Sequence, residues 1–132
     1  MLANEKPRAL GYFGASTGAA AALIAAASQG PWVAAVVSRG GRPDLAGTAL
    51  RRVLAPTLLI VGSNDVDVLA LNRNALARLN ARSQLKVIAG ATHLFEEPGT
   101  LKEAAKAAAD WFGEYLVPMR EQVDAVSRRS IP

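Results

Sequence analysis

Three residue types that together can carry nucleophilic acyl transfer stand in suggestive settings. Ser16 lies in Gly14-Ala15-Ser16-Thr17-Gly18, a match to G-x-S-x-G. A serine so flanked can occupy a very tight strand-to-helix turn, because small residues two before and two after it let the backbone crowd there. Asp65 ends the run Gly62-Ser63-Asn64-Asp65, and His93, the single histidine, ends Gly90-Ala91-Thr92-His93. Histidine within reach of the serine would take its proton, and a carboxylate would orient the imidazole. Each residue alone has a plainer role. Gly14 and Gly18 can serve close helix–strand packing, Asp65 can cap a helix, and His93 can be half-buried beside Leu94 and Phe95. The chain order Ser, Asp, His, each after a strand-like run, favours the joint reading. Asp67 is a rival acid, expected instead in a helix's first turn, where the dipole favours negative charge.

These residues need elements to bring them together. Arg8–Phe13 reads as a short strand ending at Gly14. An Ala-rich helix follows from Thr17 to about Ala27, stopped near Gly30-Pro31. Trp32–Val37 is a second strand, followed by a Gly- and Pro-containing loop, 38–43, that carries Arg39 and Arg42. Asp44–Val53 reads as a short helix. Thr57–Val61 (TLLIV) is the clearest buried strand, being continuous, branched and entered from Pro56. Val66–Leu79 is helical, with Leu69, Ala75, Leu76 and Leu79 among its apolar spacings. Leu85–Ile88 is a fourth strand. Thr100 to Glu103 has capping-box spacing, and the helix it opens runs to about Leu116 with Leu101, Ala105, Ala108 and Trp111 on its apolar face. Met119, Val123 and Val126, beyond Pro118, suggest a short amphipathic tail. Strands alternating with helices imply an α/β fold: about four parallel strands with helices on both faces. Ligands of such sheets sit at the carboxyl ends of the strands, where Ser16, Asp65 and His93 all fall.

Composition narrows the chemistry. The 132 residues are expected to form one domain with a tail at 117–132. They are 51% hydrophobic and 20% charged, so a globular core is affordable. No cysteine occurs, which excludes disulfides, thiolate metal sites and a cysteine nucleophile. With one histidine, a multi-histidine metal site is excluded as well, and no metal or cofactor is expected. Net charge is +4, but the basic residues are scattered, so no nucleic-acid partner is expected. The uncharged stretch 9–29 is mostly Ala and Gly, unlike a signal peptide or a spanning helix. A cytoplasmic protein without a membrane partner is expected.

Three segments carry a family resemblance: GYFGASTG, LLIVGSNDVDVLALN and GATHLFEEPGTLKEAAKAAADWF. Together they resemble the C-terminal part of α/β-hydrolases of the dienelactone-hydrolase-like group, over roughly Arg8 to Leu116. The resemblance implies a reduced α/β-hydrolase core and a serine esterase acting on short carboxylic esters. In that reading Ser16 is the nucleophile, His93 the base, Asp65 its orienting acid, and the Thr17 amide an oxyanion donor. Dienelactone hydrolase itself resembles this pattern with a cysteine nucleophile, so lactone specificity does not transfer. Such hydrolases also have several strands before the nucleophile strand, and these normally supply a second oxyanion donor. Arg39 and Arg42 lie on the same edge and could recognise a substrate carboxylate, or simply belong to a solvated loop. An apolar nucleophile strand at the sheet edge invites covering, by the tail from Pro118 or by a partner chain, and a homo-oligomer, dimer or tetramer, is expected. Two alternatives stand beside the esterase: an inactive interaction module, and a half-domain that needs a partner N-terminal half.

Overall fold

β-Branched and leucine-rich runs make the sheet, as the computed structural model, which describes residues 10–116, shows. The strands are β1 (Leu10–Ala15), β2 (Val33–Arg39), β3 (Thr57–Gly62) and β4 (Ser83–Ile88). The helices are α1 (Thr17–Gln29), α2 (Val66–Arg78) and α3 (Thr100–Tyr115). All neighbouring strands pair in parallel, in the order β1-β2-β3-β4. β1 and β4 are therefore the edges. β3 is buried along its whole length, as its unbroken apolar run requires.

Topology decides which face each helix covers. Successive strands add in one direction, so crossovers of one hand must put every connection on the same face. Accordingly α1, the 3₁₀ segment Pro43–Arg52 and α2 share one core, in which Leu23, Leu50 and Leu79 meet Val36 and Leu59. Among the described residues only α3, which follows the last strand, covers the other face, where Ala104, Ala108 and Trp111 pack on Val37, Leu58 and Ile60. The Trp111 indole N–H donates to the Pro56 carbonyl at 3.2 Å and fixes α3 along the sheet.

Several local expectations are corrected. Ser38 and Arg39 belong to β2 rather than to the loop after it. The helix expected over Asp44–Val53 is instead the 3₁₀ segment Pro43–Arg52, broken at Gly47, whose φ of 56° no α-helix accommodates. The capping box does not form: Gly99 is the N-cap, and the Thr100 hydroxyl donates to the Glu97 carbonyl at 2.8 Å instead. The buried stripe of α3 is Thr100, Ala104, Ala108 and Trp111, while Leu101 and Ala105 face outward. The alanines let α3 approach the sheet closely, and that contact sets the helix's phase ahead of one leucine. The expected start of the first strand at Arg8 and the expected tail helix at Met119, Val123 and Val126 lie outside the described residues. Among the described residues no helix is long and apolar enough to cross a membrane.

Candidate active site

Ser16 stands between β1 and α1 with φ 51° and ψ −126°. Positive φ is rare outside glycine and stores roughly 1–3 kcal/mol of strain, so the surroundings must hold it. They do so in two ways. A Cβ on Gly14 would lie 2.5 Å from the Gly18 carbonyl and 2.6 Å from Ala19 Cα, so only glycine fits beneath the turn. The Ser16 carbonyl accepts from the Ala19 amide at 3.2 Å and the Arg42 amide at 2.9 Å. Gly18 does not share the crowding: a Cβ there meets nothing within 4 Å outside its own helix. The expectation that both glycines relieve crowding is right for Gly14 only.

Parallel strands bring Ser16, Asp65 and His93 to one edge, but β1 and β4 are three strand spacings apart, about 14 Å at roughly 4.8 Å each. The His93 loop must therefore run back across the sheet. Its path is built over β3 and β2. The Gly90 amide donates to Ser63 Oγ at 2.8 Å, and the Asn64 amide donates to the Ala91 carbonyl at 3.0 Å. Gly62 is in contact with Ala91 so closely that a Cβ would strike its carbonyl. Gly40 lies beneath the His93 ring, and its φ of 54° is a backbone conformation that other residues rarely adopt. Beyond His93 the loop is clasped. The Glu97 carboxylate accepts from the Thr92 hydroxyl at 2.7 Å and the Thr92 amide at 2.9 Å. These two bonds hold the Glu97 carboxyl below its usual range. Phe95 is buried beside His93, at a φ of 55°.

The result is a continuous relay. Ser16 Oγ lies 3.0 Å from His93 Nε2, and His93 Nδ1 lies 2.8 Å from Asp65 Oδ2. An ionised carboxylate only accepts, so Nδ1 carries the proton and Nε2 accepts from the serine hydroxyl. The Asp65 side chain is 14% exposed and that of His93 40%, so the relay opens toward solvent at its histidine and serine end. Asp65 occupies the N-cap position of α2, yet it makes no side-chain cap bond, its carboxylate being turned to His93. Asp67 sits in the first turn of α2, exposed, as its alternative role required.

Thr17 is the first residue of α1. Its amide is one of the first-turn N–H groups that have no partner within the helix, and it adjoins the serine. Arg42 is engaged elsewhere: its fork donates to Asp44 at 3.0 and 2.9 Å and holds that carboxyl below its usual range. Arg39 ends β2 opposite Ala15, next to the serine, and its guanidinium lies 5.5 Å from the centre of the Phe95 ring. Among the described residues Arg39 makes no ion pair. Sequence reasoning missed Thr92 and Glu97, which fix the histidine loop, and Asn72, which stands on the buried stripe of α2. A polar residue on that apolar stripe was the available signal.

Comparison with known proteins agrees with this architecture. The family model described as the dienelactone hydrolase family matches residues 1–121. The crystal structure of a dienelactone hydrolase from Anabaena variabilis ATCC 29413 is 58% identical, with a TM-score of 0.80 over 81% of this chain and 50% of that one. A dienelactone hydrolase-like promiscuous phosphotriesterase from metagenomic libraries shares the fold at 20% identity, with a TM-score of 0.62 over 80% of this chain and 52% of that one. A Mycobacterium tuberculosis (strain CDC 1551 / Oshkosh) protein named "Putative phosphoribosyl transferase" is 64% identical over 107 residues, 81% of this chain but 24% of its own. The same name and figures hold for the strain H37Rv protein. The chain thus spans about a quarter of these curated relatives and half of the solved dienelactone hydrolase. By its family model and its sheet, the chain belongs to the dienelactone hydrolase family.

Proposed function

We propose that this chain is a serine hydrolase that cleaves short carboxylic esters through an acyl-enzyme. The observation that carries the reading is the unbroken Ser16–His93–Asp65 relay, at 3.0 and 2.8 Å. Ser16 Oγ attacks the ester carbonyl carbon as His93 Nε2 takes its proton, and the carbonyl oxygen becomes an oxyanion that accepts from the Thr17 amide. Collapse of the tetrahedral intermediate breaks the ester C–O bond, and His93 returns the proton to the leaving alcohol. Water, deprotonated by His93, then attacks the acyl carbon, and Ser16 Oγ leaves with that proton. Asp65 stays ionised throughout and stabilises the imidazolium. Arg39, stacked on Phe95 beside the serine, could add a charge for a substrate carboxylate. The substrate is a small-molecule ester, and no cofactor enters any step.

A second reading has its own support. Removing one oxyanion donor typically costs about 10²–10³ in rate, and among the described residues β1 is an edge strand. A partner surface docked there, a second copy or a chain carrying an N-terminal half, would supply the second donor. The transferase name of the curated relatives belongs to proteins about four times the matched length.

The test is hydrolysis of p-nitrophenyl acetate and labelling by a serine-directed organophosphonate. Hydrolysis by the purified chain, lost in Ser16→Ala together with the label, supports the esterase. Turnover that appears only when a partner chain is added supports the half-domain. Ser16 left unlabelled under both conditions refutes the nucleophile.

A further inference from the structure

Asn72 lies wholly buried on the face of α2 that otherwise presents Leu69 and Ala75 to the core. Its amide nitrogen spends both protons, one on the Gly41 carbonyl at 3.0 Å and one on the Val68 carbonyl at 2.8 Å. Its Oδ1 is buried with no partner among the described residues. Burying an unpaired amide oxygen is unfavourable, and leucine would fill such a stripe with apolar contacts. Packing therefore gives no reason for asparagine here.

Geometry gives one. The Gly41 carbonyl that Asn72 holds belongs to the peptide whose N–H, on Arg42, donates to the Ser16 carbonyl at 2.9 Å. A peptide unit is planar, so fixing its oxygen aims its N–H. The bond to Val68 anchors the same side chain to the first turn of α2, the helix whose N-cap position is Asp65. The turn approaches α1 so closely that a Cβ on Gly41 would strike Ser38 Oγ and the Ala19 methyl. One amide thus couples the helix of the acid to the strained turn of the nucleophile. We propose that Asn72 is a positioning residue for Ser16, acting through the Gly41–Arg42 peptide; this rests on the serine-hydrolase reading above.

The test compares Asn72→Leu and Asn72→Ala with the wild-type full chain. Measured quantities are kcat and KM on p-nitrophenyl acetate, the rate of organophosphonate labelling, thermal midpoint, and hydrogen exchange of the Arg42 amide. Asn72→Leu is expected to keep or raise the midpoint. It is expected to lower kcat and the labelling rate about tenfold or more with KM little changed, since small misplacements of reacting groups are costly. The Arg42 amide is expected to exchange faster. Leu79→Ala, at the far end of α2, should lower the midpoint and leave kcat of the folded protein unchanged, which separates positioning from mere destabilisation. Should leucine fail to fit, Asn72→Ala carries the same expectations at lower stability, and Arg42 exchange reads the coupling directly. Variants with wild-type kcat, labelling rate and Arg42 exchange overturn the proposal while the serine-hydrolase reading stands. A wild-type chain whose Ser16 is labelled neither alone nor with a partner chain added overturns that reading and this inference with it.

Discussion

Ser16 shows how a single strained residue depends on the atoms beneath it. Its left-handed backbone is tolerable only because Gly14 leaves no Cβ against the Gly18 carbonyl and Ala19. Gly14→Ala should therefore destabilise the chain by about 1–3 kcal/mol, the usual range for overpacking, read as a lower denaturation midpoint. Gly18→Ala should be neutral or slightly stabilising, because its Cβ meets open space and alanine favours a helix by up to about 1 kcal/mol. Equal losses in both variants would show that the two glycines act alike after all. The G-x-S-x-G spacing made the turn legible in the sequence. That only its first glycine is sterically required was not legible, because the neighbours of Gly18 are fixed by packing.

The loop from β4 to α3 acts as an element in its own right. It carries His93 back over two strand ends, and the Thr92–Glu97 clasp closes it. Because the folded carboxyl of Glu97 is held below its unfolded value, the folded state binds fewer protons between the two values. The clasp's contribution is thus present above the ordinary carboxylate range and is lost as pH falls through the lowered folded value. Glu97→Gln should flatten that part of the stability profile, measured as thermal midpoint against pH in acid. A profile parallel to wild type would mean that the clasp contributes nothing measurable. The same substitution should slow ester turnover at neutral pH by loosening His93. Nothing in the periodicity of residues 89–99 announces this loop. Its hydrogen bonds join residues whose proximity depends on how far the chain must reach across the sheet.

At the scale of the whole molecule, the β1 edge, which pairs with no further strand among the described residues, is the dominant feature. Leu10 is 43% exposed and Phe13 52%, on a strand paired along one side only. Exposed apolar residues on an unprotected edge favour pairing or covering. The chain is expected to form a homo-oligomer, visible in light scattering as a mass above one chain, and Phe13→Arg is expected to return it to a monomer. A wild-type mass of one chain at working concentration removes this expectation. If a second copy also completes the oxyanion site, the monomeric variant should lose ester turnover while the Ser16–His93–Asp65 relay stays intact.

Much of this protein follows from sequence because its determinants are local. A branched run such as Thr57–Val61 is a strand wherever it is buried, the G-x-S-x-G turn needs only its own neighbours, and parallel strands must bring Ser16, Asp65 and His93 to one edge. Tertiary structure decided what depends on contacts between distant segments. Asp65 turns to His93 rather than capping α2, and Thr100 bonds Glu97 rather than opening a capping box. α3 rotates to bury its alanines rather than Leu101, and Asn72 reaches out of its helix to Gly41. For Asp65 the two chemically sensible partners are a local one, the first-turn amides of α2, and a remote one, His93. Only the folded chain, by bringing the remote one within about 3 Å, determines which is used.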